Sequence, residues 1–94
     1  MRTLTICGSM RNYNQMLAAA NIMTKEGWLV FMPFVLKVDD PEMDEELQAI
    51  HRKKIDKSDA ILVLGKPGDS TYEEISYAKA LGKDIRYDDI GFLV

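Results

Sequence analysis

The sequence predicts a single α/β domain built on a small parallel sheet. Three observations lead there. Short runs of strand character at residues 3–7, 28–32, 59–64 and 85–87 alternate with segments whose apolar residues recur at helical spacing. The resulting order, β-α-β-α-β-α-β, calls for right-handed crossovers and parallel strands. Glycines at 27 and 82 fall where the first and last helices must stop.

In the first strand, residues 3–7, Leu4 and Ile6 share one face, and the strand ends at Gly8-Ser9-Met10-Arg11-Asn12. Tyr13, Met16, Leu17, Ala20 and Met23 then recur at helical spacing up to Lys25-Glu26-Gly27. The second strand, 28–32, is apolar on both faces, which suits a sheet covered on both sides, and Pro33 ends it. Residues 34–40 read as a loop long enough to act as a flap. Asp40-Pro41 reads as N-cap and first residue of a helix whose buried stripe is Met43, Leu47, Ile50 and Ile55, with Lys54 breaking the spacing. That helix is acidic at its start (Asp39, Asp40, Glu42, Asp44, Glu45, Glu46) and basic at its end (Arg52, Lys53, Lys54, Lys57). The charges complement the helix dipole and read as stabilisation, not as a binding patch. Residues 59–64 form the third strand, 71–81 the last helix and 85–87 the fourth strand. The apolar tail, 90–94, is expected as a fifth edge strand or a subunit contact.

With four strands the expected order is 2-1-3-4, a flavodoxin-like three-layer α/β/α arrangement. Its switch point lies between the first and third strands, where open α/β sheets bind ligands beyond the strands' carboxyl ends. The loops emerging there are 8–12 and 65–70.

Composition narrows the function. The 94 residues make one domain, 1–94, with 47% hydrophobic and 29% charged residues, an ordinary globular balance. A net charge of −3 disfavours nucleic acid or an anionic membrane as partner. No apolar run approaches the ~20 residues of a membrane span, and the opening MRTLTICGSM is too broken to be a signal-peptide core. The one cysteine, Cys7, cannot form an internal disulfide and fits a reducing compartment, so a cytoplasmic location is expected. One histidine and one cysteine, far apart in sequence, disfavour a structural zinc site; neither metal nor cofactor is expected.

The two switch-point loops carry the chemistry. Gly8 permits a tight turn after the first strand, while Ser9 and Arg11 offer a hydroxyl and a planar cation. The turn Gly65, Pro67, Gly68 leads backbone N–H groups and the hydroxyls of Ser70 and Thr71 to a helix N-terminus, where an anion is stabilised. Together these make a pocket for one phosphate. Neither a P-loop nor a dinucleotide fingerprint is present, which disfavours an ATPase or a dehydrogenase. Ser70-Thr71-Tyr72-Glu73-Glu74 holds the capping-box pattern twice, Ser70 with Glu73 and Thr71 with Glu74. Either register leaves one glutamate over, as a site residue or as part of a well-capped ordinary helix.

Cys7-Gly8-Ser9-Met10-Arg11, Ser58-Asp59 before the third strand, and Ser70-Thr71-x-x-Glu74-Ile75-x-Tyr77-Ala78 in the last helix resemble the nucleoside 2-deoxyribosyltransferase-like superfamily. Within it the chain looks most like deoxynucleoside 5′-monophosphate N-glycosidases and their small relatives, over nearly its whole length. The resemblance implies Glu74 as a nucleophile that attacks C1′ of the deoxyribose and forms a glycosyl ester, resolved by water or by a second base. It implies Ser9, Arg11 and Ser70 at the 5′-phosphate, Asp69 near the sugar, a nucleotide or nucleoside as ligand, and a homodimer. Tyr77 reads as packing. Where the family has an aspartate on the helix before the third strand, this chain has His51, either an acid or base near neutral pH or a helix residue beside Leu47 and Ile55. The chain is short for the family, with little after the fourth strand to close over a base. Hydrolysis therefore ranks above transfer, which needs water excluded. A nucleotide-binding or sensing module without turnover is the alternative, and a deoxyribosyltransferase on free nucleosides the third. Residues 34–40 or a partner subunit would contact the base.

Overall fold

The protein is described here by a computed structural model covering residues 1–33 and 41–88. The loop at 34–40, the Asp40 cap and the apolar tail at 90–94 lie outside the described residues. The elements are β1 (Thr3–Gly8), a short 3-10 turn (Met10–Asn12), α1 (Tyr13–Lys25), β2 (Leu29–Phe31), α2 (Pro41–Asp56), β3 (Ala60–Leu64), α3 (Asp69–Ala80) and β4 (Asp84–Asp88). The four strands form one parallel sheet in the order β2-β1-β3-β4, as the sequence predicts.

Strand alternation divides the core into two layers. Leu4 and Ile6 of β1 join Ala60, Leu62 and Leu64 of β3 against Met16 and Ala19 of α1. On the opposite face Cys7, Ile61 and Val63 pack with Ile55 of α2 and Ile75 and Ala78 of α3. One helix thus covers one face and two cover the other. Every residue of β3 is buried, as befits a central strand apolar on both faces. No helix among the described residues is long and apolar enough to cross a membrane.

The Ser58-Asp59 pair has a structural part to play. The backbone N–H of Thr3 donates to Asp59 Oδ2 at 2.8 Å, and Asp59 N–H donates to Thr3 O at 2.9 Å. Ser58 is buried and donates to the carbonyl of Lys54, which leaves Thr5 Oγ1 to donate to Ser58 Oγ. The pair pins the end of α2 and the start of β3 to β1.

Three expectations are corrected. The sheet is covered on both sides, but β2 is less buried than its apolar faces suggest: it is an edge strand with β1 as its one neighbour among the described residues, and Leu29 is exposed. The stripe on α2 is not Met43, Leu47, Ile50 and Ile55, since Met43 and Ile50 are exposed. Its inward line is Leu47, His51 and Ile55, spaced four residues apart. Lys54 does not merely interrupt that line, because Nζ donates to Met32 O at 2.7 Å and ties α2 to the end of β2. Finally, α3 starts at Asp69, two residues earlier than expected. Gly68, in extended conformation, is its N-cap, and no side chain caps it. Ser70 and Thr71 therefore sit inside the first turn, and neither capping box forms.

Candidate functional site

The C-terminal ends of β1 and β3 open into a cavity of about 350 Å³, in the range of small-ligand pockets. Gly8, Ser9 and Met10 line it from the loop after β1, and Pro33 from the end of β2. Leu47, Gln48 and His51 line it from α2, and Gly68 through Thr71 with Glu74 from α3. Space, and not the tight turn expected from the sequence, explains the glycine after Cys7, since Gly8 ends β1 without a positive φ. A Cβ on Gly8 would stand 3.1 Å from the carbonyl oxygen of Leu64 and 3.2 Å from Met16 Cε.

Seven of the eight predicted site residues share this cavity: Gly8, Ser9, His51, Asp69, Ser70, Thr71 and Glu74. Arg11 is the exception. It lies in the 3-10 turn beside Met10, exposed and outside the lining. The failure of the capping box has a consequence for binding. With no side-chain cap on α3, its first N–H groups present their partial positive charge to the cavity, the arrangement that suits an oxyanion. Ser9, although N-cap of the 3-10 turn, spends no side-chain hydrogen bond there either.

Beneath the cavity sits a group in which sequence reading missed one member. His51 is 5% exposed, and its Nε2 lies 3.5 Å from Glu74 Oε2 and 3.7 Å from Cys7 Sγ. The other ring nitrogen, Nδ1, is buried without a hydrogen-bond partner among the described residues. Cys7 was the residue overlooked. The signal for it was strand alternation: Leu4 and Ile6 face α1, so Cys7 must face α2 and α3.

The Cys7 thiol is pushed well above its ordinary pKa, first by burial, then by the Glu74 charge, then by its hydrogen bond to the Glu74 carboxylate. It is a neutral donor to Glu74, not a thiolate nucleophile. The three residues do not form a nucleophilic triad either. A triad base uses one ring nitrogen for the nucleophile and the other for its orienting acid, whereas here both contacts meet Nε2. Glu74, with its side chain 21% exposed, faces both the buried pair and the cavity.

The chain is an open parallel α/β domain consistent with a flavodoxin-like three-layer fold, with a polar cavity at its switch point. The chain belongs to the family described as Domain of unknown function (DUF4406), which it matches over residues 5–87. That span runs from β1 into β4 and includes every cavity-lining residue. No curated protein matches the chain.

Proposed function

We propose that this protein hydrolyses the N-glycosidic bond of a deoxynucleoside 5′-monophosphate, with Glu74 as nucleophile, in the manner of the nucleoside 2-deoxyribosyltransferase-like superfamily. The observation that carries the reading is the position of Glu74. It is a half-buried carboxylate one turn beyond an uncapped helix N-terminus, in the same cavity as that N-terminus. A phosphate held by the first N–H groups of α3 and the hydroxyls of Ser9, Ser70 and Thr71 would leave the sugar facing Glu74, with Asp69 beside it. Arg11 makes no ion pair among the described residues, so closing its guanidinium on the phosphate breaks no ion pair.

The carboxylate oxygen of Glu74 bonds to C1′ as the C1′–N bond breaks, and the electron pair leaves on the base, which takes up a proton. Water then attacks C1′, loses a proton, and frees the carboxylate. His51, in contact with Glu74 at the cavity wall, is our candidate for the acid and base of these two proton movements.

One observation favours a second reading, a nucleotide-binding module without turnover. The Glu74 carboxylate already accepts the Cys7 thiol and touches His51, and each contact lowers its nucleophilicity. Incubation with a panel of nucleoside monophosphates, followed by chromatography, separates the readings. Free base with deoxyribose phosphate supports hydrolysis, and exchange into an added base supports transfer. Unchanged nucleotide with measurable binding supports the module.

A further inference from the structure

We propose that Cys7, His51 and Glu74 form an open three-ligand site for one divalent transition-metal ion of the zinc class, with the fourth coordination position facing the cavity. Their donor atoms all lie within 4.8 Å of one another. In a tetrahedral zinc site the bond lengths set the sulfur–nitrogen edge at about 3.6 Å and the nitrogen–oxygen edge at about 3.3–3.5 Å. The observed edges are 3.7 Å for Cys7 Sγ to His51 Nε2 and 3.5 Å for His51 Nε2 to Glu74 Oε2. The third edge, from Cys7 Sγ to the Glu74 carboxylate, lies within 4.8 Å.

Hydrogen bonding leaves the cluster short of one partner: the Cys7 thiol and His51 Nε2 both face the Glu74 carboxylate, while the buried Nδ1 has no partner among the described residues. One donor atom from each of the three residues converges on a common point, as ligands do. The donor set of sulfur, imidazole and carboxylate is that of zinc, not of calcium or magnesium. His51 and Glu74 line the cavity while Cys7 is fully buried behind them, which leaves the open position on the cavity side for water or an anion.

On binding, the Cys7 thiol gives its proton to solvent and its sulfur to the ion, and no oxidation state changes. The lone pairs come from Nε2 and Oε2. The unpartnered Nδ1 lacks the outer acceptor that metal-bound histidines normally have, which sets the affinity about 10- to 100-fold below a fully supported site. The proposal is independent of the glycosidase reading, but it bears on that reading. An ion on Glu74 occupies the oxygen assigned as nucleophile, so the metal-loaded protein would be inactive.

The test uses reduced, chelator-treated protein titrated anaerobically with Co²⁺, read by absorbance. The expected result is one equivalent per chain, with tetrahedral visible bands and a near-ultraviolet thiolate-to-cobalt band that Zn²⁺ removes. Cys7→Ser should lose the near-ultraviolet band. His51→Gln and Glu74→Gln should each weaken Co²⁺ binding at least about 10-fold, with folding checked by circular dichroism. Glu45→Gln with Glu46→Gln, which removes exposed carboxylates of α2, should change nothing. Absence of the thiolate band in the folded wild type overturns the site. So does undiminished Co²⁺ affinity in folded His51→Gln or Glu74→Gln. Because the readout is spectroscopic, it decides the metal site even if no nucleotide is ever cleaved.

Discussion

Glu74 Oε2 lies 3.5 Å from His51 Nε2, a contact that joins α3 to α2 at the wall of the cavity. Its neighbour Glu73, about 100° further round the helix, is exposed. Because Gly68 is the N-cap, Glu73 has no reciprocal capping duty. Glu73→Gln should therefore keep wild-type turnover and change stability by no more than about 0.5 kcal/mol. Glu74→Gln should fold, bind a monophosphate and release no base. Base-release assays and thermal melts of the two variants check both statements, and wild-type turnover in Glu74→Gln would remove the nucleophile assignment.

Phosphate recognition is expected to involve the exposed Arg11 as well as the start of α3. A charge-assisted hydrogen bond contributes about 1.5–3 kcal/mol, so Arg11→Ala should weaken monophosphate binding by about 10- to 150-fold. The matching nucleoside should bind both proteins almost equally. Calorimetric titration with the pair of ligands measures this. Equal losses for the two ligands would assign Arg11 to the fold.

Gly8→Ala should be destabilising without any polar change. The added Cβ meets a backbone oxygen of β3 at 3.1 Å, and that oxygen cannot swing aside as Met16 Cε can. Overpacking of this kind costs about 1–3 kcal/mol, to be read from denaturant melts. Since Gly8 also lines the cavity, a weaker ligand affinity should accompany the loss.

Much of the fold was legible because local signals agreed with the global one. Alternation in residues 3–7 assigned Leu4 and Ile6 to one face, and the glycines at 27 and 82 stop α1 and α3 with positive φ. Topology then located the cavity before any side chain was placed, because strand order determines the switch point. What could not be read depended on tertiary contact. In sequence His51 reads equally as an acid or base and as a helix residue beside Leu47 and Ile55; only the folded chain shows that it continues their line inward, against a cavity and a thiol. Cys7 lies 44 residues from His51 in the chain, and only the closed sheet brings them together. The capping box misled for a local reason: the sequence pattern fits two registers, and the chain instead starts the helix at Asp69 behind the extended Gly68.

Tyr77 supplies the pH-dependent prediction. It packs on the Ile55–Ile75 layer, as expected, and its hydroxyl donates to Asp56 Oδ1, fastening α3 to the end of α2. That hydrogen bond to the carboxylate, with smaller contributions from desolvation and the Asp56 charge, raises the Tyr77 pKa above its ordinary 10.0. The sign follows from proton binding. Above pH 10.0 the unfolded chain loses the phenolic proton before the folded chain does, so the stability from this bond is complete below that pH and is lost as pH rises through the folded value. Tyr77→Phe has no such proton to lose. The wild type should melt higher than Tyr77→Phe by a constant margin from pH 7 to about 9, and the margin should close above pH 10.0. Monophosphate affinity should be the same in both, since Tyr77 is not among the cavity-lining residues. Equal melting of the two proteins from pH 7 to about 9 would mean that the ring, and not its hydroxyl, makes the contribution.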